Sequence, residues 1–200
     1  MTRIICAVVA INLVIALSVG CSGQPGSRDR IQPVYDQKTG ALQLLKYDSR
    51  GDGVVDTWSY MDGPRIVRIE IDRDHDGKID RWEYYRPDRT LEKVGFSRAN
   101  DGKEDAWSYA GAEGKVVRID VSTHRNGKID RVEHYDDDVL VRAEEDTDGD
   151  GRFDKWEAYD HARLASVSFD TTHRRGTPDR RLIYGADGTV HVDTGDRRPE

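Results

Sequence analysis

The sequence has 200 residues, of which 34% are charged and 36% are hydrophobic, and its formal net charge at pH 7 is −7. This length predicts one folded domain, and the scattered acidic excess argues against nucleic acid as a partner. Such a high charged fraction is typical of disordered chains, but the tryptophans and tyrosines recur at regular intervals, which indicates a repetitive fold.

The first 20 residues are predicted to be a signal peptide. One basic residue, Arg3, precedes an apolar run over residues 4–19 that is short for a membrane span. The run ends in Leu-Ser-Val-Gly-Cys, which resembles the lipobox of bacterial lipoproteins and implies lipidation of Cys21. Plain secretion and a retained N-terminal anchor are the alternatives. Ser22, in place of an aspartate, implies sorting to the outer membrane by the same resemblance.

The mature chain, from Cys21 onward, is predicted to have three segments. Residues 21–33 contain Gly, Ser, Pro and charged residues and predict a flexible tether. Residues 34–193 are predicted to form the β-repeat domain, and residues 194–200 a disordered tail. Cys6 lies inside the signal peptide, so the mature chain has no cysteine pair for an internal disulfide.

Six turn glycines define the repeat, because they follow one another at intervals of 24 or 25 residues. They are Gly53, Gly77, Gly102, Gly127, Gly151 and Gly176. An aspartate stands three residues after each glycine, and in most copies a tryptophan stands two residues further on. The sixth copy has Arg181 in place of the tryptophan, which is typical of a terminal repeat.

Between these loops, apolar and polar residues alternate with a period of two. Ile69 and Ile71 alternate with Arg68 and Glu70, a pattern that predicts strands joined by short turns. We therefore predict an all-β fold of about six tandem β-hairpin repeats, forming an antiparallel meander of about twelve strands. Because open sheets rarely exceed about ten strands, we expect the sheet to curl; two layers or a partner are the alternatives.

Two loops have the residue types and spacing of a calcium loop. The predicted ligands, with the two basic residues contributing backbone carbonyls, are Asp72, Asp74, Asp76, Lys78, Asp80, Asp146, Asp148, Asp150, Arg152 and Asp154. An extended strand after the loop would turn Glu83 and Glu157 to the opposite face from the preceding aspartate. We therefore expect these glutamates to be poor ligands.

The alternative interpretation of these loops is a set of aspartate-glycine turns without metal. The fourth repeat retains Asp130 but has Ser122, His124 and Asn126 at the earlier ligand positions, so this aspartate is expected to fix the turn by itself. Three or four converging carboxylates repel one another, which favours a bound calcium ion in the two complete loops. The first and third loops retain fewer aspartates and are weaker candidates.

The units GDGVVDTWSY, HDGKIDRWEYY, NDGKEDAWSY and GDGRFDKWEAY resemble the aspartate-glycine and tryptophan-tyrosine repeats of bacterial envelope lipoproteins with EF-hand-like loops. The resemblance covers residues 48–184 and implies a repetitive β scaffold with no known activity. We expect a non-catalytic, calcium-stabilised lipoprotein of the bacterial cell envelope, anchored in the outer membrane through its N-terminal lipid. It would serve as a scaffold or interaction surface for an envelope protein or polysaccharide. A carbohydrate- or envelope-polymer-binding module is the first alternative, and an envelope hydrolase the second.

Overall fold

The computed structural model describes residues 30–172 and 176–194, and these ranges contain fourteen β-strands. The strands are β1 (Ile31–Tyr35), β2 (Leu42–Tyr47), β3 (Thr57–Asp62), β4 (Arg65–Ile71), β5 (Arg81–Tyr85), β6 (Leu91–Phe96), β7 (Ala106–Ala110), β8 (Val116–Val121), β9 (Arg131–Asp136), β10 (Val139–Glu145), β11 (Lys155–Asp160), β12 (Arg163–Phe169), β13 (Arg180–Tyr184) and β14 (Val190–Asp193). No helix of the described ranges is long and apolar enough to cross a membrane. The predicted signal peptide and Cys21 lie outside the described residues.

The strands form one antiparallel sheet in which their spatial order is their order in the chain. This arrangement confirms the prediction of an all-β meander of hairpins. The sheet is open rather than curled, with β1 at one edge and β14 at the other. It has two strands more than expected because six loops separate seven hairpins, and the first hairpin begins at Ile31 rather than Val34.

The hairpins share a local irregularity that follows from their short turns. A register shift occurs near the turn between Tyr60 and Met61, and again between Tyr84 and Tyr85 in the next hairpin. Two later hairpins turn through pairs of residues with positive φ, such as Asp137 at 48° and Asp138 at 61°. These values are typical of the turn that matches the right-handed twist of paired strands.

One face of the sheet, here called the tryptophan face, carries the repeated tryptophans. A row of directly opposed residues on this face reads Trp58, Glu70, Trp82, Gly95, Trp107, Asp120, Val132, Glu144, Trp156 and Ser168. The tryptophans therefore occupy equivalent positions. Only Trp82, at 7% exposure, is buried, while the other three are half-buried.

The opposite face, here called the aliphatic face, carries most of the hydrophobic core. Its buried side chains are Val94, Ala106, Val121, Ala143 and Val167. Contacts between elements of the described structure join only strands that are neighbours in the sheet, so no described element forms a second layer over either face. The tight turns line one edge formed by the strand ends, and the glycine-aspartate loops line the other.

Candidate metal centres

Six loops occupy the edge of the sheet on which the predicted sites lie. Numbered along the chain, loops 1 to 6 are residues 48–56, 72–80, 97–105, 122–130, 146–154 and 170–179, the last described at residues 170–172 and 176–179. From loop 2 onward, the first residue of each loop donates its backbone N–H to the carbonyl of the aspartate that ends the preceding loop. For example, Asp72 donates to Asp56 at 2.9 Å, and Asp146 donates to Asp130 at 2.7 Å. Each loop is therefore tied directly to its neighbour.

The final aspartate closes every loop by accepting a backbone N–H from the second loop residue. Asp80 accepts from Arg73 at 2.7 Å, and Asp130 accepts from Thr123 at 2.6 Å. The same bond occurs in the other four loops. Because loop 4 makes it without the other acidic residues, the turn-fixing role predicted for this aspartate is independent of a cluster.

Where the first residue of a loop is an aspartate, its carboxylate fixes the backbone conformation of the five residues that follow. Both carboxylate oxygens of Asp72 accept backbone N–H groups, from His75 at 2.7 Å and from Gly77 at 2.9 Å. Gly77 has φ of 86°, a left-handed conformation that glycine adopts without strain. Asp146 makes the same pair of bonds in loop 5, to Gly149 and Gly151.

Two carboxylate clusters result from this geometry, one in loop 2 and one in loop 5. They are Asp72 with Asp74 and Asp80, and Asp146 with Asp148 and Asp154. In each cluster, one oxygen atom from every carboxylate lies within 4.8 Å of the others. Six of the eight predicted aspartates are therefore brought together, at equivalent positions in two repeats.

The other four predicted ligands are not among the residues of these two clusters. Asp76 accepts from the backbone N–H of Lys78 at 2.9 Å and from its Nζ at 3.1 Å. Asp150 accepts from the backbone N–H of Arg152 at 2.8 Å. Lys78 and Arg152 are both exposed. Both aspartates therefore accept local turn hydrogen bonds, and Nδ2 of Asn100 lies 3.2 Å from Asp76 as well as 2.6 Å from Asp74.

The clusters fit a hard divalent cation. Calcium takes oxygen ligands at about 2.3–2.6 Å, so two ligand atoms on opposite sides of one ion are separated by about 5 Å. The 4.8 Å limit on the oxygen separations satisfies this condition. The donor set contains oxygen only, which suits calcium or magnesium better than the softer transition metals.

The pKa values of the closing aspartates of loops 2 and 4 are shifted in opposite directions. Burial raises the pKa of Asp80, and backbone hydrogen bonds offset only part of this effect. Burial also opposes ionisation of Asp130, but hydrogen bonds from Thr123 and His124 outweigh it and lower the pKa of that carboxyl. The environment therefore disfavours ionisation of the closing aspartate in loop 2 and favours it in loop 4.

Two basic side chains of loop 4 contact aspartates of loops 3 and 4. Arg125 contacts Asp101 at 2.5 Å and Asp105 at 3.4 Å, which places a guanidinium of loop 4 beside loop 3. His124 contacts Asp130 at 2.7 Å. In loop 2, the equivalent contact from the following loop comes from neutral Asn100, whose Nδ2 lies 2.6 Å from Asp74.

The glutamates at the twelfth position belong to the strands rather than to the loops. Glu83 accepts from Arg81 at 2.9 Å and from Tyr85 at 2.6 Å, on the aliphatic face. Glu157 lies on the same face and accepts from Arg131 at 2.8 Å and from Tyr159 at 2.9 Å. The alternation of side chains along an extended strand places them there, as the sequence predicts.

Sequence reasoning missed a charged network centred on Arg131. Its guanidinium contacts Glu133 at 2.9 Å, Glu145 at 3.0 Å and Glu157 at 2.8 Å. Burial opposes ionisation of Glu157, but hydrogen bonds from Arg131, Lys155 and Tyr159 lower its pKa to about 2. The available signal was the pattern of a basic residue, then Glu, then Tyr at alternate positions, which recurs from Arg81, Arg131 and Lys155.

Comparisons with known proteins identify no family. No family model matches the chain, and no curated protein matches it. Similar solved structures include two of TarM. A mutant of S. aureus TarM in complex with fondaparinux, alpha-GlcNAc-glycerol and UDP has a TM-score of 0.40 and 14% identity, over 49% of this chain and 19% of that chain. A second TarM structure has a TM-score of 0.39 and 15% identity, over 48% and 18%.

A third similar structure is a GtfA/B complex bound to UDP and GlcNAc, with a TM-score of 0.21 and 8% identity over 87% of this chain and 25% of that chain. The chain thus covers a quarter or less of the length of these three structures. Such low TM-scores do not support the transfer of a function.

Proposed function

We propose that the protein is a non-catalytic β-sheet scaffold of the bacterial cell envelope, stabilised by calcium in loops 2 and 5 and anchored in the outer membrane by a lipid on Cys21. The observation that supports calcium binding is the recurrence of one three-carboxylate cluster in two separate repeats. Loops 3 and 4 close with the same bond from the final aspartate without such a cluster. The additional carboxylates are therefore not required to close the turn.

A cation would offset the repulsion among these carboxylates. Asp72 and Asp146 are both buried, and each cluster adds an exposed aspartate beside them. At about 1 mM free calcium and a dissociation constant of about 0.1 mM, each site would stabilise the fold by about 1.4 kcal/mol. Two sites would raise the melting temperature by a few degrees in a chain of this length.

Calorimetry in calcium, magnesium and chelator tests this proposal. Combined Asp74→Asn and Asp148→Asn should abolish most of the calcium-dependent rise in melting temperature. A matched control is combined Asp88→Asn and Asp187→Asn, because these aspartates cap turns on the opposite edge and accept backbone N–H groups from Thr90 and Thr189. The control should retain the full rise, and a wild-type chain without any calcium-dependent change would contradict the proposal.

The position-five aspartates test how far the ligand set extends. Combined Asp76→Asn and Asp150→Asn should also reduce the calcium-dependent rise if these carboxylates turn toward the ion when it binds. A full rise in this variant would restrict the carboxylate ligands to the three that already converge in each loop.

Membrane anchoring is tested separately. Cys21→Ala should move the protein from the detergent phase to the aqueous phase, because the acyl chains would be lost. A variant that remains unprocessed and membrane-bound would instead indicate anchoring by the uncleaved apolar segment. No observation favours the carbohydrate-binding alternative, which calls for exposed tryptophans, because the four tryptophans are buried or half-buried.

A further inference from the structure

The open sheet leaves two edge strands, β1 and β14, that differ in their capacity to pair with a further strand. Each is exposed along its whole length. Each pairs with one described neighbour, β1 with β2 and β14 with β13. Because a strand directs alternate backbone groups to its two sides, the register of each pair shows which residues present N–H and C=O groups outward.

The outward backbone groups of β14 belong to its two valines. Gly185 donates its N–H to the carbonyl of Thr189 at 2.8 Å, so these two residues are a hydrogen-bonded pair. From this pair onward, hydrogen-bonded and non-hydrogen-bonded pairs alternate along the ladder between β13 and β14. Along that ladder, His191 directs its backbone groups toward Ile183, while Val190 and Val192 direct theirs outward. This edge therefore presents two uninterrupted donor and acceptor pairs.

The corresponding edge of β1 is interrupted at its centre. Asp48 donates its N–H to the carbonyl of Arg30 at 3.0 Å, so Arg30 faces Asp48 as a hydrogen-bonded pair. The register then turns the backbone groups of Ile31, Pro33 and Tyr35 outward. Proline has no N–H, and its presence on an edge strand hinders the addition of another strand.

The sequence around the outward residues of β14 is symmetric. Val190, His191 and Val192 read the same in both directions, so a two-fold axis through His191 would bring Val190 of one copy opposite Val192 of the other. Both valines have outward backbone groups, so the pair would form four N–H to C=O hydrogen bonds. Antiparallel pairing between two β14 strands would also continue the pattern of the whole sheet.

From this symmetry and hydrogen-bond phase, we infer that two copies of the chain associate through β14, edge to edge, to form one continuous sheet. Val190 is 53% exposed and Val192 is 52% exposed, so association would remove apolar surface from water on the aliphatic face. The two-fold contact closes on itself. Head-to-tail joining of β14 to β1, which would extend without limit, is disfavoured by Pro33.

Sedimentation velocity of the full chain in detergent over a range of concentrations tests the association. Combined Val190→Lys and Val192→Lys should abolish dimer formation, because charged side chains on an edge strand oppose pairing. The matched control places the same charges on the other edge, as combined Ile31→Lys and Tyr35→Lys, and should dimerise like the wild-type chain. Equal loss of dimer in both variants, or dimer retained in the β14 variant, would overturn the inference.

Disulfide crosslinking tests the register, in a background with Cys6→Ala and Cys21→Ala. The two copies of His191 would face each other as a non-hydrogen-bonded pair with Cα atoms about 4.5 Å apart, so His191→Cys should crosslink. Val190→Cys should not, because its symmetry mate would lie on a diagonal at about 8 Å. Crosslinking at Val190 but not at His191 would overturn the proposed axis.

A truncated chain ending at Thr194 tests whether the residues after β14 cover the edge instead. Dimerisation of the wild-type chain, unchanged by truncation, is the expected result. A wild-type chain that stays monomeric over the whole concentration range would overturn the inference, and dimers that appear only after truncation would identify the chain's own tail as the occupant.

Discussion

Loops 2 and 5 form the same kind of turn as loops 3 and 4 but carry different side chains. All four close through the final aspartate, and all four place a residue with positive φ at the fourth and sixth positions. Loops 2 and 5 add aspartates at the first and third positions, where loops 3 and 4 have Ser97, Ala99, Ser122 and His124. The residues that specify the turn are thus separable from those that gather negative charge.

The comparison also shows two environments for the loop carboxylates. Loop 4 places Arg125 beside Asp105 of loop 3, and His124, which is positively charged when protonated, beside its own Asp130. The Asp74 carboxylate in loop 2 contacts the neutral amide of Asn100. Lys78 contacts Asp76, which is outside the three-carboxylate cluster of loop 2. Because basic side chains of the chain contact the aspartates of loops 3 and 4, we expect calcium dependence only in loops 2 and 5.

The strands beneath the loops should contribute the largest effect, without calcium dependence. Arg131→Met would leave Glu133, Glu145 and Glu157 without their shared partner. Removing one side of a buried charged pair costs about 3 to 5 kcal/mol. Because these side chains are half-buried, at 11–21% exposure, and Lys155 still contacts Glu145 and Glu157, we expect a loss at the lower end of that range. Urea unfolding should give the same loss of unfolding free energy in calcium and in chelator. A loss that depends on calcium would mean that the Arg131 network is coupled to the metal loops.

The same network sets an acid limit on stability. The folded-state pKa of Glu157 is about 2, below its ordinary value of 4.5, so its contribution is present above about pH 4.5 and is lost as the pH falls toward 2. Unfolding followed from pH 6 to pH 2 should show a steeper loss in the wild-type chain than in Arg131→Met. Parallel profiles would contradict this assignment.

Removal of the closing aspartate should have a calcium-dependent effect on stability in loop 5 but not in loop 4. Asp130→Ala leaves the backbone N–H groups of Thr123 and His124 without their acceptor, at a cost of about 2 to 4 kcal/mol for two groups. This loss should be equal in calcium and in chelator. Asp154→Ala should lose a similar amount in chelator and more in calcium, because the cluster in loop 5 would lose a carboxylate. An identical response in the two variants would remove the distinction between the loops.

A transplanted cluster should make loop 3 bind calcium like loops 2 and 5. Combined Ser97→Asp, Ala99→Asp and Arg125→Gly supplies the missing carboxylates and removes the guanidinium that contacts Asp101 and Asp105. Isothermal titration should then show one additional calcium ion per chain, with a calcium-dependent stabilisation of about 1.4 kcal/mol. The variant that keeps Arg125 should bind the additional ion more weakly, since the guanidinium would compete for the carboxylates.

The smallest expected effect is a pH dependence specific to loop 4. A side-chain hydrogen bond to Asp130 raises the pKa of His124, and that carboxyl has a lowered pKa. The stabilisation from a raised histidine pKa is present below about pH 6.5 and is lost as the pH rises through the folded-state value. NMR titration should place the pKa of His124 above 6.5, and Asp130→Asn should return it toward that value. An unchanged pKa in this variant would exclude the aspartate as the cause.

The sequence allowed the repeat, the hairpins and the carboxylate clusters to be predicted, because all of them depend on residues close together in the chain. Asp72, Asp74 and Asp80 lie within nine residues, so one turn brings them together. The Arg131 network could not be predicted in the same way, since Arg131 and Glu157 lie in different repeats. Their contact depends on the register of three neighbouring strands.

Loop 6 shows where alignment on a single residue type fails. Counting back from Gly176 places Thr171 at the first position of the loop. In the structure, Asp170 takes that position, because it accepts from the N–H of Gly176 and donates its own N–H to the carbonyl of Asp154. The loop is one residue longer than the others, and the hydrogen bonds set its start. The open sheet also differs from the expected curl, since strand patterning specifies neighbours but not closure.

The neighbour-only contacts of this sheet have a mechanical consequence. Because each strand contacts only the strands beside it among the described elements, a force applied to the two ends of the sheet would peel hairpins away from an edge instead of shearing all strands at once. Each released repeat of 24 or 25 residues would lengthen the chain by about 80 Å. Loops 2 and 5 lie near opposite ends of the sheet. Ions bound there would stabilise the adjoining hairpins and so raise the force needed to continue the peeling from either edge.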